Sequence, residues 1–525
     1  MNSVKTLTEK KPVVVQPAPA NRSNYALWTA LLVGMLAIIV VASVKVQQGG
    51  WLAGEADMFL VDHNNPHRPF LSKVLAPHSH DASHYQAREL SHFFEHFDAL
   101  FINWSVKQGF PHFLSITSFA FLVALSLVHW RKSTRYLGMD PLIVLMLIAM
   151  FWTAPSSFFS GPYIRVAKQG ASFLLLVLCW RVITCIGEKP ANPPSTTTKA
   201  LLWVQTFLLT LAMCWMDRQG YFLAGVLMLT LLAFWVGPPI PYRWVLISAM
   251  VAGLAAHTIY GRYIGPDLIR QHTGFSVSFE YQKLPWGTFF EHFFRYIWDG
   301  IALMGNTFRW YFGNLTGGLT LFVWAAMAWL FSRVKVAADP RPGSLQFKTF
   351  FGILFIGWLA LLIFMNSAMV LRHEPLIWPD VRTHYYWIPT TTLVLLGCTL
   401  AVYVLQRNFT VPIWLLRVAL AALVISNISA LPEHNRIARG GHLQGYIAAA
   451  PHLLNAIREL SNTPEVAQPK EEFDAAKLSR IEGDFNAILK NPLAQPNMTV
   501  QDFVFSSHFY NYLRSKRNLQ FRQPP

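Results

Sequence analysis

Glu55-Ala56-Asp57 places two carboxylates one residue apart, and a third acid, Asp62, follows five residues on. A carboxylate at a membrane mouth can act as general base on a sugar hydroxyl, and nearby cations can stabilise a departing phosphate. Cations of a suitable type recur along the chain. Arg165 and Lys168 share one stretch, Arg218 lies in Met-Asp-Arg-Gln-Gly, Arg262 and Arg270 flank Tyr-Ile-Gly-Pro-Asp, and Arg372, His373, Arg382 and His384 make a fourth group. Arginine's planar fork matches phosphate oxygens two at a time, and a lipid phosphate is the obvious anion. Together these residues could attack the anomeric carbon of a lipid-phosphate sugar. The competing reading gives the acids to loop solubility and the basic residues to helix ends, snorkelling or paired with Asp217, Asp267, Glu374 and Asp380. His78, His80, Asp81 and His84 have a spacing that could hold a divalent transition metal. Flexible His-rich loops also occur without metal, and no closed four-ligand set is evident, so no cofactor is required by the sequence.

The elements that must position these groups are membrane helices. Of 525 residues, 53% are hydrophobic and only 13% charged, with 39 Phe, 19 Trp and a mean hydropathy of +0.33. Such a chain has too little polar surface to cover a water-facing globule. The net charge of +16 then points to cytoplasmic loops and anionic lipid rather than to nucleic acid. Cys179, Cys185, Cys214 and Cys398 all lie in or beside apolar runs, where neither a disulfide nor a zinc site is expected.

A bilayer core needs roughly 20 apolar residues per helix. That window predicts eleven spans, at 26–46, 111–130, 141–158, 170–187, 200–216, 221–237, 243–260, 315–332, 349–370, 387–405 and 411–430. Lys5, Lys10, Lys11 and Arg22 precede the first span, which places residues 1–25 in the cytoplasm as the tail of an uncleaved anchor. The basic connectors Arg131 to Arg135, Glu188 to Lys199 and Arg333 to Lys348, with Arg243 and Arg407, then fall inside as well. Residues 286–305 are apolar but carry Glu291, His292, Arg295 and Asp299. They are expected to lie in the outer interface, since a crossing there would invert everything that follows.

The expected organisation is an all-α polytopic membrane domain over 26–430, with a long first outer loop at 47–110 and a polar outer tail domain at 431–525. The first loop is rich in acids and holds eight of the chain's 18 His in it or at its end. Within it, Leu90, Phe93, Phe94, Phe97, Leu100 and Trp104 recur at helical spacing with charged or His residues opposite, which predicts an interfacial amphipathic helix. Phe-Phe-Glu-His-Phe occurs at 93–97 and again at 289–293, without further similarity around it, so two like helices are expected rather than a repeat.

On these features the chain resembles the GT-C superfamily of integral-membrane glycosyltransferases. That superfamily has many spans, a long first outer loop with interfacial helices, and an acidic Asp-x-Asp or Glu-x-Asp signature soon after the first span. Glu55-Ala56-Asp57 matches the variant in type and place, and the likeness covers the architecture of roughly residues 20–430. The resemblance implies a polyprenyl-phosphate-linked sugar donor, a glycan, lipid or protein acceptor, and work on the periplasmic face of a bacterial inner membrane. It implies Asp57 as catalytic base, with Glu55 beside it and Asp62 in reserve. Arg68, in His-Arg-Pro-Phe, and Arg88, in Gln-Ala-Arg-Glu-Leu-Ser, resemble the arginine-containing stretches that follow in such loops. Some members use a divalent cation near the acidic motif and others none.

Three rivals compete. A transporter or lipid flippase would carry ionisable residues near the bilayer midplane and paired repeats, whereas Arg417 is the clearest charge inside a span here. An O-antigen ligase or polymerase would place its large outer loop late in the chain. A non-catalytic scaffold would leave the acids dispensable.

Overall fold

The computed structural model describes residues 22–46, 68–77, 85–107, 115–154, 166–187, 195–233, 242–278, 387–408 and 412–439, together with His63, Ala82, Ser157, Phe158 and Gly287. Every regular element among them is helical. They are α1 (Arg22–Val46), α2 (Phe70–Leu75), α3 (Glu89–Lys107), α4 (Ile116–Arg131), α5 (Pro141–Thr153), α6 (Ala167–Gly187) and α7 (Thr196–Met216). Then follow α8 (Gln219–Ala233), α9 (Arg243–Ile259), α10 (Gly265–Thr273), α11 (Trp387–Asn408) and α12 (Ile413–Arg439), with π-turns at Lys132–Tyr136 and Tyr260–Ile264. Five stretches are long and apolar enough to cross a membrane: Tyr25–Ser43, Ala167–Cys185, Thr196–Met216, Arg243–Thr273 and Ile413–Pro432. Shorter apolar helices cover Pro141–Thr153, Gln219–Leu232 and Thr391–Tyr403. The chain is an all-α, multi-pass membrane protein. The expected spans 315–332 and 349–370, the segment 286–305 apart from Gly287, and the tail from 440 onward lie outside the described residues. α12 runs past the expected boundary at 430, through Pro432 to Arg439.

Local chemistry sets the starts of these helices. Ser115, Asp140 and Ser195 each accept a backbone N–H of the first turn, from Ser118, Ile143 and Thr198. Each cap satisfies a donor the helix cannot, worth about 1 kcal/mol. Pro141 sits at the first position of α5, where a missing N–H costs nothing.

Ring and hydrogen-bond pairs fix the directions. α4 and α6 run parallel, with Phe121 against Phe173 and His129 against Trp180. α6 and α7 run antiparallel, since Arg181 donates to Gln205 at one end and Gly170 faces Met216 at the other. α7 and α9 are parallel: Trp203 donates to Ser248, and Gly253 lets α9 approach Thr210 and the Phe207 carbonyl. α5 and α12 are parallel too, joined by the Arg417–Asp140 ion pair at 2.9 Å and by Asn427 donating to the Met150 carbonyl. α1 starts beside Trp130 and Arg135 and reaches Phe158 through Ser43. One end of the bundle thus holds the turns at 131–140 and the starts of α7, α9 and α12. The other, called the distal end below, gathers α2, α3, the turn at Asp217 and Arg218, and residues 260–278. α12 starts at the same end as α5.

Trp130, Trp152, Trp180 and Phe151 fill the centre, with α6 packed on most sides. The outer faces of α1 and α12 stay apolar and open, as at Ile38 (71% exposed), Trp414 and Ile425, which suits a lipid surround. All four cysteines are free, three buried and Cys398 half-buried.

The parallel packing makes a directional prediction. Cysteines placed at Arg131 and Pro412 in a cysteine-free background should react with an impermeant maleimide from one side of the membrane, and a cysteine at Ser276 from the other. Labelling of Arg131→Cys and Pro412→Cys from opposite sides would contradict the α5–α12 register.

Candidate functional site

α3 is the element that brings chemistry to the distal end. Its sequence carries an apolar stripe and an ionisable stripe, and the structure turns the ionisable one inward. Glu89 (7% exposed), His92 (4%), Glu95 (7%) and Asp98 (0%) are buried, while Phe97 (44%), Leu100 (49%) and Trp104 (49%) face out. In water the cheaper arrangement is the reverse. Where the surround is lipid, apolar side chains cost nothing outside and charges must find partners inside.

Asp98 shows how such partners are found. Its carboxylate accepts from the Ser115 hydroxyl at 2.5 Å, the Thr117 hydroxyl at 2.8 Å and the Thr117 backbone N–H at 2.9 Å. It therefore helps cap α4 and ties α3 to that helix. Burial outweighs these bonds and pushes its pKa up to about 7.

Nearer the start of α3, Tyr85 donates to Glu89 Oε1 at 2.5 Å, and the Tyr260 hydroxyl lies close enough to bear on both. Glu89 Oε2 is buried with no hydrogen-bond partner. Desolvation raises the Glu89 pKa despite the Tyr85 bond, and the same burial, with Glu89 beside it, raises that of Tyr85. One turn along, His92 Nδ1 lies 3.1 Å from the Val74 carbonyl, which assigns the proton to Nδ1 and leaves Nε2 a buried acceptor without a partner. Trp215 sits edge-on to Tyr260 at 5.1 Å between ring centroids, and its Nε1 is likewise buried and unpaired.

This group is held by strained and closely packed backbone. Ala87, between Tyr85 and Glu89, has φ 51°, a left-handed conformation that costs a non-glycine residue on the order of 1 kcal/mol. His257 Nε2 donates to the Ala87 carbonyl at 2.8 Å, and Tyr221 hydrogen-bonds His257 Nδ1 at 2.7 Å. The opposing wall is the π-turn Tyr260–Ile264, an irregularity that recurs at functional sites. A Cβ on Gly261 would crowd Ala87, and one on Gly265, the first residue of α10, would collide with the Tyr85 hydroxyl.

A second cluster lies one to two turns further along α3. His96 Nδ1 is 3.1 Å from His63 Nδ1, and Phe70 packs edge-on to His96. Lys73 of α2 is buried nearby. Desolvation, then Arg68, lowers the Lys73 pKa, and desolvation, then Lys73, lowers that of His96. Among the described residues, no group of three or more His, Cys, Asp or Glu is placed to hold a metal ion.

The residues singled out by sequence divide sharply. Glu55, Asp57, Asp62, His78, His80, Asp81, His84, Arg165, Arg372, His373, Arg382 and His384 lie outside the described residues. Arg68 is engaged with its own loop, donating to the carbonyls of Ser72, Ala76 and Pro77 and to Ser72 Oγ. Arg88 is half-buried, next to Glu89 in the chain. Arg270 is exposed and paired with Asp267 at 2.5 Å, the ordinary surface arrangement. Arg218 and Arg262 converge, both bearing electrostatically on Tyr221, with Arg218 also near His257. Lys168 is half-buried in the first turn of α6. Tyr85, Glu89, His92, Trp215, His257 and Tyr260 were not singled out by sequence. The available signal was Glu89, His92 and His96 at steps of three and four on one face of α3.

The chain was compared with protein-family models, curated proteins and solved structures. Nothing matches in any of the three.

Two outcomes follow from this geometry. Gly265→Ala should displace Tyr85 and lower Tm through overpacking of about 1–3 kcal/mol, whereas Gly225→Ala, with open space around its Cβ position, should not lower it. For Asp98, a carboxyl raised to about 7 in the fold binds its proton more tightly than in the unfolded chain. Its contribution is present in acid and lost as pH rises through about 7. Tm in detergent should therefore fall between about pH 5 and 8, and Asp98→Asn should flatten that dependence.

Proposed function

We propose that the protein is a membrane glycosyltransferase of the GT-C type, moving a sugar from a polyprenyl-phosphate donor to a glycan, lipid or protein acceptor. The observation that carries this reading is the buried ionisable face of α3, set at one end of a helical bundle beneath an apolar outer surface. Interfacial chemistry on a lipid head needs polar groups at the membrane mouth, shielded from acyl chains. In this reading Asp57 takes the proton of the acceptor hydroxyl, whose oxygen attacks the anomeric carbon. The bond from that carbon to the phosphate oxygen breaks, its electron pair leaving on the phosphate. Glu55 flanks the base and Asp62 is its reserve. Arg218, Arg262 and Lys168, with Arg165, Arg270, Arg372, His373, Arg382 and His384, are the cations proposed to receive that phosphate. The distal end would be periplasmic and the N-terminus cytoplasmic, in a bacterial inner membrane.

A transporter reading has less support. The buried histidines of the described spans, His129 and His257, are each hydrogen-bonded at both ring nitrogens: His129 by Thr399 and Trp180, His257 by Ala87 and Tyr221. Groups so committed hold helices together rather than pass a substrate.

Membranes bearing Asp57→Asn should lose transfer from a radiolabelled polyprenyl-phosphate sugar by at least about a hundredfold, with insertion unchanged. Undiminished transfer in Asp57→Asn, Glu55→Gln and Asp62→Asn alike would sink the catalytic reading.

A further inference from the structure

α6 is packed on most sides, but one stripe of it stays open, and that stripe carries a charge. Phe173, Val177, Arg181 and Thr184 follow one another at helical spacing and are each half-buried, whereas Leu176, Cys179, Trp180 and Val182 between them are fully buried. Arg181 lies inside the apolar run Ala167–Cys185, which is long enough to cross a membrane. It stands six residues short of Gly187, where the helix ends, or about 9 Å along the axis. An ionisable side chain at that depth is costly unless something answers its charge.

No carboxylate among the described residues does so. Arg181 donates to the side-chain oxygen of Gln205 on α7, a neutral group, and its backbone carbonyl accepts from the Thr184 hydroxyl. On the other flank the Tyr136 hydroxyl donates to the Thr184 carbonyl at 3.3 Å, so the π-turn after α4 closes on the same stripe one turn from Arg181. Asp140 is the one acid among the described residues at this end of the bundle, and Arg417 holds it at 2.9 Å. Arg131, Arg135 and Lys199 are exposed at the same end, and among the described residues none of them forms an ion pair either. The end is therefore rich in positive charge that the protein itself leaves uncompensated.

The surroundings select the anion. A guanidinium with one donor given to an amide keeps further N–H groups in the fork that suits phosphate oxygens. The approach to it is apolar: Phe173 and Val177 continue the stripe toward mid-helix, and Leu201, Val204 and Leu208 are exposed on neighbouring α7. A soluble anion would have to leave water to reach this place, whereas a phospholipid carries its phosphate on acyl chains that match those residues. A zwitterionic headgroup brings its own cation to compete with Arg181, and an anionic one instead gains from the unpaired charge around it. We propose that Arg181, flanked by Gln205 and Tyr136, is a binding site for the phosphate of an anionic phospholipid. The site lies at the end of the bundle away from α3 and does not rest on the transferase reading.

Retention of lipid by the full-length protein tests this. The protein is reconstituted in nanodiscs of equal parts phosphatidylglycerol and phosphatidylcholine with matched acyl chains, and bound lipid is counted by native mass spectrometry. The wild type should retain phosphatidylglycerol over phosphatidylcholine, and Arg181→Gln should cut that preference about tenfold. Lys199→Gln removes one exposed charge from the same end and should change it less than about twofold. Should Arg181→Gln fail to insert, Arg181→Lys carries the test: it keeps the charge, loses the planar fork, and should still lower the preference several-fold. Equal retention of the two lipids by the wild type would overturn the site. So would wild-type preference in the Arg181 variants, or equal losses in Arg181→Gln and Lys199→Gln, either of which marks diffuse attraction to the basic end. Full displacement of the lipid by millimolar inorganic phosphate would overturn the lipid source in favour of a soluble anion.

Discussion

A polar group surrounded by lipid has no water to fall back on, and this constraint organises the distal end of the molecule. α3 carries more ionisable side chains than its surroundings can solvate. They can be held only if the helix presents them to the bundle and its aromatic residues to the outside. Once that orientation is set, the rest follows. Asp98 finds the start of α4, His92 finds the Val74 carbonyl of α2, and Glu89 finds Tyr85. These polar contacts dock the helix together with Leu90 and Phe94, which pack against the bundle core.

That docking is demanding in backbone terms. For Tyr85 and Glu89 to meet, Ala87 must adopt a left-handed conformation, and the chain at Gly261 and Gly265 must come close enough that no side chain fits between. His257 offsets the strain by holding the Ala87 carbonyl from the end of a membrane helix. A loop tied down in this way keeps its side chains in one arrangement, which is what a binding or catalytic surface needs.

Much of the helical frame is legible in the sequence, because long apolar runs leave little choice of conformation. The α3 pattern is legible too, but periodicity defines a stripe without saying which way it faces. That depends on whether water or lipid lies outside, and Glu89 and His92 read alone as a solvated face. Ala87 is illegible for another reason: alanine carries no signal for a positive φ, which glycine or asparagine would have announced. Nothing in Tyr-Gly-Arg-Tyr-Ile distinguishes a π-turn from a continuing helix. Of the cations at the mouth, Arg218 and Arg262 come together only because α8 and α9 meet there, whereas Arg68 and Arg270 are absorbed by nearby carbonyls and by Asp267.

The pairing of α5 with α12 has a consequence for how the molecule is made. Arg417 and Asp140, like Asn427 and Met150, are 277 residues apart. α5 therefore enters the bilayer long before its partner has been synthesised. Until then, the Asp140 carboxylate lacks Arg417 and one flank of α5 meets only lipid. Closure of the bundle is thus a late, post-insertion step, and chains truncated before α12 would present an open seam along α5 to whatever quality control surveys the membrane.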